Sequence, residues 1–123
     1  MTTRLAHCAA LGMAALLIAG SVAAATRHPA RSLNPANDRL VRMAPAARAA
    51  ELAQAVGHWC IGTETFLMGV SDSGRGAGNA YWSLRCADGS TWAIQIDPLA
   101  EVTAIDCDTF NAQGAGKECF KKF

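Results

Sequence analysis

The chain has 123 residues, with 11 lysines and arginines against 10 aspartates and glutamates. A chain so close to neutral, with no stripe of basic residues, has no strong electrostatic reason to bind nucleic acid or an anionic membrane. Its length allows one small domain whose core alone gives modest stability, so help from crosslinks is expected.

The first segment, "MTTRLAHCAALGMAALLIAGSVAAATRHPA", has Arg4 near its start, an apolar run from Ala9 to Ala19, and small residues ending in Ala23-Ala24-Ala25. This is the layout of a secretory signal peptide, residues 1–25, with cleavage after Ala25. The apolar run falls short of the ~20 residues that span a bilayer, so no stable membrane span is expected once the signal is removed. Arg4 and Cys8 leave with it, and the mature chain then has 10 basic residues, 10 acidic ones and four cysteines. These features predict a periplasmic or secreted protein. Downstream, "TRHPARSLNPANDR" is polar, carries two prolines and shows no apolar period. Residues 26–44 are therefore expected to form a mobile leader ahead of a single domain at 45–123.

In "APAARAAELAQAVGHW", Ala49, Leu52, Ala53 and Val56 follow the spacing of one helical face. Pro45 suits a first turn and Gly57 the position past a helix end, which predicts a helix over 45–57. The segment "CIGTETFLMGV" places Cys60, Gly62, Phe66, Met68 and Val70 on one face of a strand, with Glu64 out of place. In "AYWSLRC" the even positions Ala80, Trp82, Leu84 and Cys86 are apolar, and in "TWAIQID" so are Trp92, Ile94 and Ile96. Both runs read as half-buried strands. A two-residue Asp88-Gly89 loop would set even positions against odd ones and split the two apolar sets between faces. A three-residue loop, Ala87-Asp88-Gly89, instead sets Leu84 opposite Trp92, Trp82 opposite Ile94 and Ala80 opposite Ile96, with Gly89 in the left-handed position. A fourth strand follows in "EVTAIDC", where Val102 and Ala104 favour one face and Thr103 and Ile105 the other. The expected fold is α+β: one N-terminal helix packed on an antiparallel meander of three to four strands, with two disulfides.

An even cysteine count in a small exported chain reads as a disulfide framework. In a meander, Cys60 begins the first strand, Cys86 ends the second and Cys107 ends the fourth, so all three lie toward one end of the sheet. Cys60 and Cys86 are on neighbouring strands, within bridging distance, while a strand separates Cys86 from Cys107. The geometry therefore favours Cys60–Cys86 with Cys107–Cys119.

No catalytic constellation emerges. There is no Cys-x-x-Cys pair for redox work, and His58-x-Cys60 is the only local pair of metal-ligand type. "SGRGAGN" leads into a strand rather than a helix and lacks the Lys-Ser/Thr of a phosphate loop. His28 and His58 have no evident partner for nucleophilic catalysis. Glu64, Asp97, Glu101, Asp106 and Asp108 lie in turns and at strand edges, where carboxylates are solvated. Trp82 and Trp92 are expected in the core beneath the helix, whereas the outward row of Tyr81, Ser83 and Arg85 offers Tyr81 and Arg85 as binding candidates.

The order of helix, hairpin and the run "WAIQIDPLAEVTAIDC" resembles the PepSY-like class of small exported bacterial modules, in which a helix covers an antiparallel meander. "YWSLRCADGSTWAIQI" is also similar to a pattern in small secreted proteins of Gram-negative bacteria. The resemblance covers residues 45–107. It departs from the class at Ala100, where a glycine is expected before the last strand, and in having cysteines. It implies binding or inhibition of another periplasmic or secreted protein, without catalysis or cofactor. The leading expectation is thus a non-enzymatic, disulfide-stabilised binding or accessory module. The alternative is a small periplasmic redox or metal-handling protein that uses its cysteines.

Overall fold

The structure is a computed structural model, and it describes residues 31–113 and 116–123. The expected signal peptide, residues 1–25, and the start of the leader, 26–30, lie outside the described residues. The elements in order are α1 (Pro35–Arg42), α2 (Pro45–Ala53), β1 (Gly62–Val70), a short 3-10 turn (Gly74–Gly76), β2 (Ala80–Cys86), β3 (Thr91–Ile96), β4 (Val102–Asp106) and α3 (Cys107–Ala112). The four strands form one antiparallel sheet in the order β1-β2-β3-β4. The chain is therefore α+β with a meander sheet.

The central hairpin has the register that period two requires. Ala80 faces Ile96, Trp82 faces Ile94 and Leu84 faces Trp92, around a loop of Ala87, Asp88 and Gly89. Cys86 donates its N–H to the Ser90 carbonyl, and Gly89 has φ 88°, the left-handed conformation that closes the loop. The even-numbered face of β2 and β3 packs beneath the first two helices, where Trp82, Leu84, Ile94 and Ile96 join Leu40 and Leu52 in the core. On α2 the expected face is buried through Ala49, Leu52 and Ala53. This helix ends at Ala53, short of the expected 57, and single hydrogen-bonded turns carry the chain on to Gly57. It lies so close to β1 that a Cβ on Gly62 would fall 2.3 Å from the Ala49 carbonyl oxygen.

Two helices, not one, precede the sheet. The segment expected to be a mobile leader contains α1, and it is anchored both by Ala36, Leu40 and Met43 against the core and by polar atoms. Asn34 is the N-cap, its Oδ1 accepting the Asn37 N–H, and Pro35 supplies the fixed φ suited to a first helical residue. The same amide donates through Nδ2 to the carbonyls of Gly78 and Ile96, at 2.9 Å each. Asn37 in turn accepts from Trp82 Nε1 at 2.9 Å. Asn34 and Asn37 are both buried, as is Leu40 beside them.

The parity expected for β1 holds at Gly62 and again at Val70, which faces Ala80, but is inverted between two bulges. Its register shifts between Gly62 and Glu64 and again between Leu67 and Gly69, so Thr63 and Met68 are bulged residues. Beyond the first bulge Thr65 and Leu67 oppose Leu84 and Trp82 on the helix-covered face, while Glu64 and Phe66 oppose Arg85 and Ser83 on the other. Glu64 was out of place only for an unbroken strand. On β4, Val102 and Ala104 share the face of Ile96 and Ile94, and Thr103 and Ile105 share that of Gln95 and Ala93.

Candidate functional site

All four cysteines among the described residues are paired. Cys60 bonds Cys86 with α-carbons 5.3 Å apart, and Cys107 bonds Cys119 at 5.9 Å. Both ends of Cys60–Cys86 are buried, while Cys107–Cys119 joins a buried cysteine to a half-buried one. Among the described residues no three His, Cys, Asp or Glu side chains gather in a way that could hold a metal ion. His58 is exposed near the end of the α2–β1 connection.

The row expected to face outward is instead the floor of a second packed layer. α3 and the C-terminal segment cross this face, tied down by Cys107–Cys119. The Tyr81 ring lies 5.4 Å from that of Phe123 and 6.4 Å from that of Phe110, with Lys117 Nζ 4.5 Å above it. Ser83 is fully buried and its hydroxyl oxygen accepts the Phe120 N–H at 2.8 Å. Tyr81 is half-buried and Arg85 is exposed but engaged: Nε donates to Glu64 Oε2 at 3.0 Å and the guanidinium lies 5.0 Å from the Phe120 ring centre. Tyr81 and Arg85 are therefore not a free binding row. The elements that cover them come from residues 107–123, a stretch in which period-based reading finds no helix.

Asp106, expected to be merely solvated, and Asp88 of the hairpin turn both have local tasks. Asp106 accepts the N–H and the hydroxyl of Thr109, both at 2.8 Å, and so caps α3. Those hydrogen bonds, the backbone one first, hold its carboxyl below the ordinary carboxylate range. Asp88 is lowered in the same direction, chiefly by the Ser90 hydroxyl and then by the Ser90 N–H, in the turn of the central hairpin.

The surface that remains open lies at the other side of the sheet. A cleft of about 350 Å³ runs between α1, α2 and the β3–β4 turn, with Leu40, Leu52, Ile96 and Val102 in its lining. Its rim holds an ion pair, Arg39 Nη2 to Glu51 Oε1 at 2.6 Å. At one end the Asp97 carboxylate accepts the N–H groups of Leu99 and Glu101, both at 2.8 Å, and Ala100 takes φ 67° to complete the turn. This turn leaves Leu99 84% and Val102 50% exposed.

Val102 also begins β4, an edge strand. Asp97 donates its N–H to the Glu101 carbonyl, which makes 97 and 101 a hydrogen-bonded pair. In an antiparallel ladder such pairs alternate with non-bonded ones, so Thr103 and Ile105 bond β3 through Gln95 and Ala93. The N–H and C=O groups of Val102 and Ala104 then point away from the sheet. The opposite edge, β1, is bulged twice, and there the Met68 carbonyl accepts the Phe123 N–H. Comparison with family models, with curated proteins and with solved structures finds no match for the chain.

Proposed function

We propose that the protein is a non-enzymatic, exported binding or accessory module that acts on another periplasmic or secreted protein. The observation that carries this reading is the contrast between a sheet stapled by two disulfides and covered on both faces, and one open edge strand beside a cleft lined by both apolar and polar side chains. A scaffold built in this way holds a recognition surface rigid, which lowers the ordering cost of association. Disulfides persist in oxidising compartments, which agrees with export. No helix among the described residues is long and apolar enough to cross a membrane. The PepSY-like resemblance of the β3–β4 segment points to the same class of activity.

The test is affinity capture on the oxidised mature chain from an extracytoplasmic fraction, followed by mass spectrometry and reconstitution with the purified candidate. A partner that binds the oxidised chain stoichiometrically and ignores the reduced, unfolded chain is the expected result. Capture that does not distinguish the two forms, or that yields no partner, refutes the reading.

A further inference from the structure

We propose that β4 is the docking edge of this module, and that its ligand is an extended, cationic segment of another protein which adds to the sheet as a fifth strand. This rests on the reading of the chain as a binding module and names the site and the ligand chemistry.

The backbone supplies the first argument. Val102 and Ala104 present two N–H and two C=O groups outward, enough for four hydrogen bonds to an incoming strand. Of the two sheet edges only this one is regular. β1 carries bulges at Thr63 and Met68, a common device for blunting an edge, and the C-terminal residue occupies the Met68 carbonyl. No such device interrupts β4, whose register with β3 is continuous from Val102 to Asp106.

The cleft supplies the second. Val102 is both the first residue of the open edge and part of the cleft lining, together with Leu40, Leu52 and Ile96. Strands in a sheet lie ~4.8 Å apart and alternate their side chains between faces. A guest residue opposite Val102 on the helix-covered side is therefore delivered to the mouth of the cleft. That position should be apolar.

Charge selects the rest of the guest. From Ala87 to Gly116 the chain has no lysine, arginine or histidine, and its charged residues are Asp88, Asp97, Glu101, Asp106 and Asp108. Asp97 and Asp106 are engaged with backbone N–H groups, which leaves Glu101 just before β4 and Asp108 just after it, both exposed and neither ion-paired among the described residues. At ~3.3 Å per residue a guest strand spans this interval with cations about five positions apart. The same charges oppose pairing with a second copy. Antiparallel self-pairing centred on Thr103 would bring acidic residues together at both ends with no cation between them.

The probe is a blocked hexapeptide, acetyl-Lys-Thr-Val-Thr-Val-Lys-amide, titrated into the oxidised chain and followed by amide NMR and calorimetry. Saturable binding with a Kd of about 1 mM or tighter is expected. The Val102 and Ala104 amides should shift and gain exchange protection, while the version with glutamate for lysine should bind weakly. Val102→Pro removes an outward N–H that the sheet does not use and should abolish binding. Glu101→Lys, an exposed change that leaves the fold intact, should weaken the lysine peptide about fivefold and favour the glutamate peptide. Perturbation of other amides, equal binding of both peptides, or insensitivity to both substitutions overturns the proposal. So does a dimer of the chain that Val102→Pro dissociates. A natural partner captured equally by wild type and Val102→Pro refutes the edge but leaves the binding-module reading intact. Peptide binding with no natural partner does the reverse.

Discussion

Replacing Asn34 by alanine tests whether the segment ahead of α2 belongs to the folded domain. The side chain is 2% exposed and makes three hydrogen bonds: it accepts from the Asn37 N–H and donates to the Gly78 and Ile96 carbonyls. Loss of an N-cap costs ~1 kcal/mol. Each buried side-chain bond to a carbonyl contributes ~0.5–1.5 kcal/mol net. The three together give a destabilisation of about 3 kcal/mol, or roughly 15 °C in Tm for a domain of this size. The assay is urea unfolding of the oxidised mature chain followed by tryptophan fluorescence, with the slope checked against wild type. Asn34→Ser keeps a cap acceptor but lacks the reach of the amide, so it should recover ~1 kcal/mol of the loss. A loss below ~1 kcal/mol for Asn34→Ala, or equal losses for Ala and Ser, would refute the reasoning and leave α1 as a loosely attached leader.

Three further outcomes are expected. Gly62→Ala should cost ~1–3 kcal/mol in the same assay, because its Cβ would meet the Ala49 backbone oxygen at 2.3 Å and backbone cannot turn aside. Ala100→Gly should stabilise by ~0.5–1 kcal/mol, since φ 67° is disfavoured for alanine and part of that gain is offset by the freer unfolded chain. Asp106 has a lowered pKa in the folded state, so its contribution to stability is complete at neutral pH and is lost as pH falls below ~4 and through the folded value. Asp106→Asn should therefore flatten part of the acid limb of a stability–pH profile measured by urea midpoints, leaving the part due to Asp88.

The hairpin and the disulfides were legible in the sequence for one reason. Period two with a three-residue turn at Gly89 gives the register that keeps Trp82, Leu84, Ile94 and Ile96 on one face, and the meander order makes β1 the neighbour of β2, which brings Cys60 and Cys86 into reach. Where the physics is not periodic, the reading fell short. A bulge at Thr63 inverts the parity of the residues up to the next bulge and moves Phe66 out of the helix-covered core, although nothing in "GTETF" advertises it. α1 has eight residues, and its apolar contacts through Ala36, Leu40 and Met43 are interspersed with buried amides and charged residues; the Asn34-Pro35 pair, an N-cap followed by a first-turn proline, is the sequence signal that marks it. α3 has six residues and one capping aspartate, too little to stand out before its packing is known. Because that helix and the tail behind it were missed, Tyr81 and Arg85 were placed on an open face. The open edge of β4 depends on the hydrogen-bonding phase set by the Asp97–Glu101 pair, which side-chain periodicity does not encode.

The two disulfides join cysteines that are consecutive among the described residues, at separations of 26 and 12 residues. If the chain is exported as proposed, emerging N-terminus first into an oxidising space, the order of appearance and the native pairing are the same. Cys60 can meet Cys86 before Cys107 is available to compete, and Cys119 arrives to find Cys107 as the one thiol still unpaired. Of the three pairings that four cysteines allow, the native one is the only one an oxidant acting strictly in sequence would make. A chain oxidised in that order needs no reshuffling of its bonds, and its first bond encloses β1 and β2 before β3 and β4 are added.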